Sequence, residues 1–277
     1  MIKVSVILPT HNGEKFITNA IKSVQAQGFS DWELIIIDDG SMDSTYVVVG
    51  GLAKNDSRIL LLKNEKNLGI QKSLNKGLHE ARGEFIARID DDDEWSDENK
   101  LKKQVEFLDK NSDCVLVGTG TIVFDDPLAG GGKEIFKYLN PETDEKIRNQ
   151  ILGKNCFTHT SVMFRKDIVL SLGGYDESEA TLHVEDYDLW LRLGKKGKFA
   201  NLQVHAVKWR FRENALSSKN RILQFKNSFG LVLKFRKDYP GFLRGYLRSW
   251  LRLIAYCLFK FIPILRVKYF LFSMGKR

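Results

Sequence analysis

The sequence predicts an α/β fold with a Rossmann-like, mostly parallel central sheet flanked by helices. Three observations carry this prediction. Short apolar runs alternate with helix-periodic stretches through residues 1–95, the pattern of an open parallel sheet. The runs are apolar at nearly every position, as strands covered on both faces are. Three of them end in polar segments, Pro9-Thr10-His11, Asp38-Asp39 and Asp90-Asp91-Asp92-Asp93, which would open on the same carboxyl edge, where such sheets bind ligands.

In chain order, Val4-Ser5-Val6-Ile7-Leu8 is a buried strand closed by Pro9-Thr10-His11-Asn12-Gly13. Across residues 14–27, Phe16, Ile17, Ala20, Ile21 and Val24 fall at helical spacing. A second strand over 32–37 ends in Asp38-Asp39-Gly40-Ser41, and Ser41 or Asp43 can cap the helix that follows. A third strand, 58–62, leads through Asn64-Glu65-Lys66-Asn67-Leu68-Gly69 to a helix over 70–81, closed by Gly83. Phe85-Ile86-Ala87-Arg88-Ile89 then delivers the four aspartates.

Four adjacent carboxylates repel one another unless a cation or hydrogen-bond donors sit among them. Their oxygens suit Mg²⁺ or Mn²⁺, which one or two carboxylates commonly share with substrate phosphates. Taken alone, such a run is also a solvated acidic turn before a helix capped by Ser96 or Asp97. The other two loops on the same edge favour a nucleotide site with a metal-bound diphosphate. No GxGxxG follows the first strand, which argues against a dinucleotide enzyme.

The 277 residues, 43% hydrophobic, suffice for one large α/β domain with an appendage. Cys114, Cys156 and Cys257 have neither metal nor disulfide spacing and fit a reducing compartment. The opening residues run directly into a strand, with no signal-peptide pattern. No apolar run reaches the roughly 18–20 residues of a spanning helix. The net charge of +8 is uneven: residues 209–277 carry 16 Lys and Arg against Glu213 and Asp238, a net of +14 that leaves −6 for the rest. An acidic body with a basic, aromatic tail is not the profile of a nucleic-acid binder.

The strings V-S-V-I-L-P-T-H-N, I-I-I-D-D-G-S, N-L-G-I-Q-K-S-L-N-K-G-L and A-R-I-D-D-D-D together resemble the family 2 inverting glycosyltransferases of the GT-A fold, of the bacterial surface-polysaccharide type. The resemblance runs to about residue 217. It implies that Pro9, Thr10 and His11 line the nucleotide pocket and that Asp39 accepts from the uracil ring. Lys72 would lie near the diphosphate or base, although it also suits a solvated helix face. Asp90 and Asp92 match the DxD positions, the first near the ribose and the second on the metal, with Asp91 between them at the nucleotide.

Residues 100–108 are expected to form a helix, 114–118 a strand, and 125–132 a loop ending in three glycines. The matching region of the family shapes acceptor specificity. Residues 157–165 are expected as a strand near the sugar, with His159 either a substrate contact or a satisfied structural histidine. In His183-Val184-Glu185-Asp186-Tyr187-Asp188-Leu189-Trp190-Leu191-Arg192-Leu193, dipole stabilisation explains acids in a first helical turn but not the whole string. The string resembles the family's ED motif, which makes Asp186 the base that takes the acceptor's proton, Glu185 a contact to acceptor hydroxyls, and Asp188 the internal rival for the base. Where many relatives read Tyr-Arg-x-His, this chain has Trp209-Arg210-Phe211-Arg212. Arg212 cannot ligate a metal but can clamp a phosphate.

In the tail, Leu247, Leu251, Ile254 and Leu258 recur at helical spacing. Arg244, Arg248 and Arg252 run alongside, Trp250, Tyr256, Phe259 and Phe261 add aromatics, and Pro263 ends the pattern. A basic amphipathic helix of this kind lies in an anionic membrane interface, the alternative being packing on its own domain or in a dimer. Lys260 argues against spanning. The expected organisation is a catalytic domain over 1–217 (nucleotide-binding half 1–95, acceptor-binding half 96–217) and a membrane-associating helical tail over 218–277. The expected activity is metal-dependent, inverting transfer from a UDP-sugar to a hydroxyl of a lipid-linked or growing glycan, with Mn²⁺ or Mg²⁺, by a cytoplasmic enzyme peripheral to the inner face of the membrane. The rivals are transfer to polyprenyl phosphate and a silent sugar-nucleotide-binding scaffold.

Overall fold

The computed structural model describes residues 2–125, 132–211 and 220–259, with side chains through Ile254. Among them, nine strands form one sheet: β1 (Val4–Thr10), β2 (Trp32–Asp38), β3 (Ile59–Lys63), β4 (Phe85–Arg88), β5 (Glu94–Trp95), β6 (Cys114–Asp125), β7 (Lys133–Tyr138), β8 (Met163–Arg165) and β9 (Lys198–Phe211). The order is β3-β2-β1-β4-β8-β6-β9-β5, with β7 on β6. The first four are mutually parallel, with Val6 opposite Leu34 and Ala87. β8 runs antiparallel between β4 and β6, and β9 parallel to β6.

Side chains alternate across a strand, and both faces of this sheet are covered. Val4, Val6, Leu8, Leu34 and Ile36 pack with Ile17, Ala20, Ile21 and Val24 of α1 (Ile17–Gln25). Ile7, Ile35 and Ile37 pack on the other face, against Leu74 and Leu78 of α3 (Ile70–Glu80) and Leu189 and Trp190 of α7 (Glu185–Leu193). Every residue of β1 and β2 is therefore buried, which is why their sequences are continuously apolar. The remaining helices are α2 (Thr45–Ala53), α4 (Lys100–Lys110), α5 (Asp144–Ile151), α6 (Lys166–Ser171), α8 (Arg221–Lys234) and α9 (Phe242–Phe259).

Neither expected cap occupies the N-cap of α2, which is Ser44; Asp43 Oδ1 accepts from the Thr45 amide at 3.0 Å in the turn just before the helix. Ser41 Oγ instead accepts from the Asn12 amide at 2.9 Å, tying two of the edge loops together. The strand expected over 157–165 is a correction. His159–Ser161 is a 3₁₀ turn, and only Met163–Arg165 is strand. The Ser161 hydroxyl donates to the Thr158 carbonyl at 2.8 Å, a local bond that competes with a ladder. β6 runs past the expected end at Gly118 because β9 pairs along one side while β8 and then β7 pair along the other. The glycine loop at 126–131 lies outside the described residues.

The segment after 217 is not uniformly a tail. Leu231, Val232, Phe235 and Tyr239 belong to the core, and the Tyr239 hydroxyl donates to the Leu191 carbonyl at 2.7 Å. α9 behaves differently: Leu243, Leu247, Leu251 and Ile254 are 49–68% exposed. Its Tyr246 and Trp250 rest on Phe229 of α8.

Candidate active site

The ends of β1, β2 and β4 carry the three expected loops to one edge. Pro9 and Thr10 are the last residues of β1, and Thr10 Oγ1 donates to Asp91 Oδ2 at 2.6 Å. That contact passes over Gly13, where a Cβ would collide with both the threonine oxygen and the Asp91 carboxylate. His11 is exposed, and its Nδ1 lies 2.9 Å from the Asp39 carbonyl. Asp39 is buried and fixes the loop beyond β3, accepting from Asn64 Nδ2 (2.8 Å), the Leu68 amide (2.9 Å) and the Gly69 amide (2.9 Å). Gly69, with φ +92°, makes the left-handed entry into α3 that this clamp requires. Lys72 is exposed on α3.

The four aspartates have four different surroundings. Asp90 is paired with Arg88 at 2.6 Å. Asp91 is held by Thr10. The Asp92 carbonyl accepts from Arg210 Nε at 2.9 Å. Asp93 is buried, with Oδ1 accepting from the Arg210 amide at 3.0 Å and Oδ2 without a partner among the described residues. Burial, then repulsion from Asp92 and Asp90, raises the Asp93 carboxyl well above its ordinary value. Arg210 pins the whole turn, reaching Glu94 at 3.1 Å between the rings of Phe16 and Phe124.

Arg88 is the site residue that sequence reasoning passed over. Its side chain is fully buried, donating to the Ile7 carbonyl (2.6 Å), the Ile89 carbonyl (2.8 Å), Asp90 and His159 Nε2 (3.1 Å). The signal was present: one arginine ends an otherwise apolar strand. His159 Nε2 also meets the Tyr175 hydroxyl at 3.0 Å, and its ring sits edge-on to Trp190. Burial and the Arg88 charge hold this imidazole neutral, well below its ordinary pKa. Its acceptor lone pair is thus engaged with Arg88.

His183, with a φ of +67°, turns the chain into α7. Asp186 Oδ2 accepts from Asn155 Nδ2 at 2.8 Å and Oδ1 from the Tyr187 amide at 2.7 Å. Glu185 is buried with Oε2 unpartnered among the described residues. Burial raises both carboxyls, Asp186 to about 6 despite its two hydrogen bonds, and Glu185 further, with the Asp186 charge adding to it. The four-aspartate turn and α7 are linked by packing: Arg88 pairs with Asp90 and His159, and the His159 ring sits against Trp190 of α7. Asp188, the rival base, is fully engaged: Oδ2 with Arg192 at 2.6 Å and Oδ1 with Lys234 at 2.9 Å. Asn155, 31 residues from Asp186, gave no sequence signal. Arg212 lies outside the described residues.

A sheet edge lined with carboxylates and a buried acidic pair at a helix N-terminus make up the candidate active site. Residues 5–173 match the family model described as glycosyl transferase family 2, and the chain belongs to that family: it is a glycosyltransferase. It is 30% identical over 277 residues to the amylovoran biosynthesis glycosyltransferase AmsE of Erwinia amylovora, covering 99% of each chain. It is 32% identical to the UDP-Glc:alpha-D-GlcNAc-diphosphoundecaprenol beta-1,3-glucosyltransferase WfgD of Escherichia coli, over 84% of this chain and 86% of that one. Among solved structures, Staphylococcus aureus TarS 1–349 in complex with UDP-GlcNAc superposes with a TM-score of 0.70 at 20% identity, over 99% of this chain and 80% of that one. The mannosyltransferase PcManGT of Pyrobaculum calidifontis, in complex with GDP-Man and Mn²⁺, gives 0.69 at 15% identity, over 98% and 83%. The fold is GT-A.

Proposed function

We propose that this glycosyltransferase moves a sugar from a UDP-sugar, with inversion, to a hydroxyl of a lipid-linked or growing glycan of a bacterial surface polysaccharide. The observation that carries this reading is the pair at the start of α7. Asp186 is a buried carboxylate of raised pKa whose two hydrogen bonds orient it, and beside it Glu185 has an unsatisfied buried oxygen. An incoming hydroxyl satisfies Glu185 and gives its proton to Asp186, whose pKa lies closer to neutral than an ordinary aspartate's. Inversion follows from the resemblance to the inverting glycosyltransferases and agrees with Asp186 acting as a single base. The acceptor class follows the substrates named for the relatives.

Pro9, Thr10, His11 and Asp39 line the donor side in this proposal, with Lys72 at its rim. Asp90, fixed by Arg88, faces the ribose, and Asp91, fixed by Thr10, shapes the turn. The donor set is carboxylate oxygen, and no cluster of three metal-ligating side chains forms among the described residues. That composition fits a Mg²⁺ or Mn²⁺ ion held by Asp92 together with diphosphate oxygens. When bound, such an ion neutralises charge developing on the leaving diphosphate. Calorimetry with UDP tests the donor side: affinity should rise with Mn²⁺ in wild type and lose that dependence in Asp92→Ala. Equal affinities in all four titrations would remove the metal assignment.

We place the enzyme on the inner face of the membrane through α9. No helix among the described residues is long and apolar enough to cross a bilayer, whereas the exposed stripe from Leu243 to Ile254 suits lying in the interface. Burying one such leucine is worth about 1.5–3 kcal/mol when complete. The double substitution Leu247→Glu, Leu251→Glu should therefore abolish co-sedimentation with anionic liposomes at a salt concentration where wild type still binds. Retention of both proteins on the liposomes would exclude the stripe as the anchor.

A further inference from the structure

α9 is pressed onto the loop that leads to the base. At Gly245 a Cβ would lie 2.7 Å from the Leu152 carbonyl oxygen, so the backbones meet there. Arg248 then lies across Gly153, where an added Cβ would meet Arg248 Cδ at 3.5 Å. The next loop residue is Lys154, and the next is Asn155, which holds Asp186. Lys154 and Arg248 are both half-buried, and no carboxylate acts on either among the described residues. Burial lowers both cations, and the charges of Arg248 and Arg252 lower Lys154 further.

Half-buried like charges without a counter-charge destabilise one another. Asp188, by contrast, is matched by Arg192 and Lys234. The uncompensated seam between α9 and residues 152–155 therefore calls for an anion from outside the chain. On the same helix the exposed leucine stripe begins at Leu243, so the anion best suited to the seam carries an apolar chain.

We propose that Lys154 and Arg248 form the site for the diphosphate of a lipid-linked acceptor, delivering its glycan to Glu185 and Asp186. Lysine supplies a point charge and arginine a planar fork, both strong phosphate donors. The proposal rests on the acceptor class inferred above and names how this chain would recognise it.

The test is calorimetry with farnesyl diphosphate on the full chain, in saturating UDP and Mn²⁺ so that the donor pocket is filled. Wild type should bind it. Lys154→Gln and Arg248→Gln should each weaken binding by about tenfold or more, the loss expected for one charge-assisted contact. Arg244→Gln, exposed on the same helix and acting on Arg248 only through its charge, should weaken binding far less than either. Inorganic pyrophosphate should bind more weakly with the same dependence on the two cations, and farnesol should show none. Unchanged farnesyl diphosphate affinity in both variants overturns the site, as does an equal loss in Arg244→Gln, which would mean diffuse surface charge. UDP binding, measured separately in every variant, distinguishes failure of this site from failure of the glycosyltransferase reading.

Discussion

Asp186→Asn should leave UDP binding unchanged and lower kcat by about 10²–10⁴-fold, the usual contribution of a positioned general base. The amide keeps the size and one accepting oxygen but cannot take the acceptor's proton, so the loss falls on kcat rather than on donor affinity. The pH dependence gives an independent check. Asp186 acts only when ionised, and burial raises its pKa to about 6. The acid limb of the wild-type profile should therefore lie well above the ordinary aspartate value of about 3.9. The Asn155 hydrogen bond favours the ionised form. Removing it in Asn155→Ala should move the limb to higher pH. Asp188→Asn should cost stability, because it opens two ion pairs, without moving the limb. An active Asp186→Asn enzyme, or a limb that shifts only in Asp188→Asn, would transfer the base role to Asp188.

Arg88→Met should destabilise the protein by about 3–5 kcal/mol, the sum expected when several buried acceptors lose a donor at about 1–3 kcal/mol each. The fully buried guanidinium satisfies two carbonyls, Asp90 and His159 at once, and methionine fills the space while leaving all four acceptors without their donor. Thermal unfolding should show a fall of roughly 10 °C for a chain of this size. UDP affinity should also drop, because Asp90 loses the contact that aims it. Arg88→Lys should fall between the two, keeping charge but not the fork. Unchanged thermal stability and UDP affinity in Arg88→Met would mean that the arginine holds nothing in place.

Much of this could be read from the chain because it depends on local rules. The parallel sheet announced itself in strands apolar on both faces, and helix spacing around Ile17–Val24 and Ile70–Leu78 matched what packs on them. The three edge loops were legible because a strand's end fixes where its next residues emerge. The E-D-Y-D-L-W-L-R string marked the start of α7 through acids crowding a first helical turn. The 3₁₀ turn at His159 was not legible, since a hydroxyl bond to the Thr158 carbonyl decided it against an apolar pattern that suits a strand.

What the sequence by itself determined was the fold class, the order of the loops and the types of residue gathered at the sheet's carboxyl edge. The tertiary structure alone decided which of those residues are committed to one another. Asp186 and Asp188 are two residues apart and chemically identical. Only the packing of α8 brings Lys234 to Asp188, and only the 152–155 loop brings Asn155 to Asp186. The same holds for the 152–155 loop and α9, almost a hundred positions apart, which meet because Gly245 lets the helix touch Leu152. Charge, burial and hydrogen-bond partners act over a few ångströms in space, and chain order does not record which distant residues will lie within that reach.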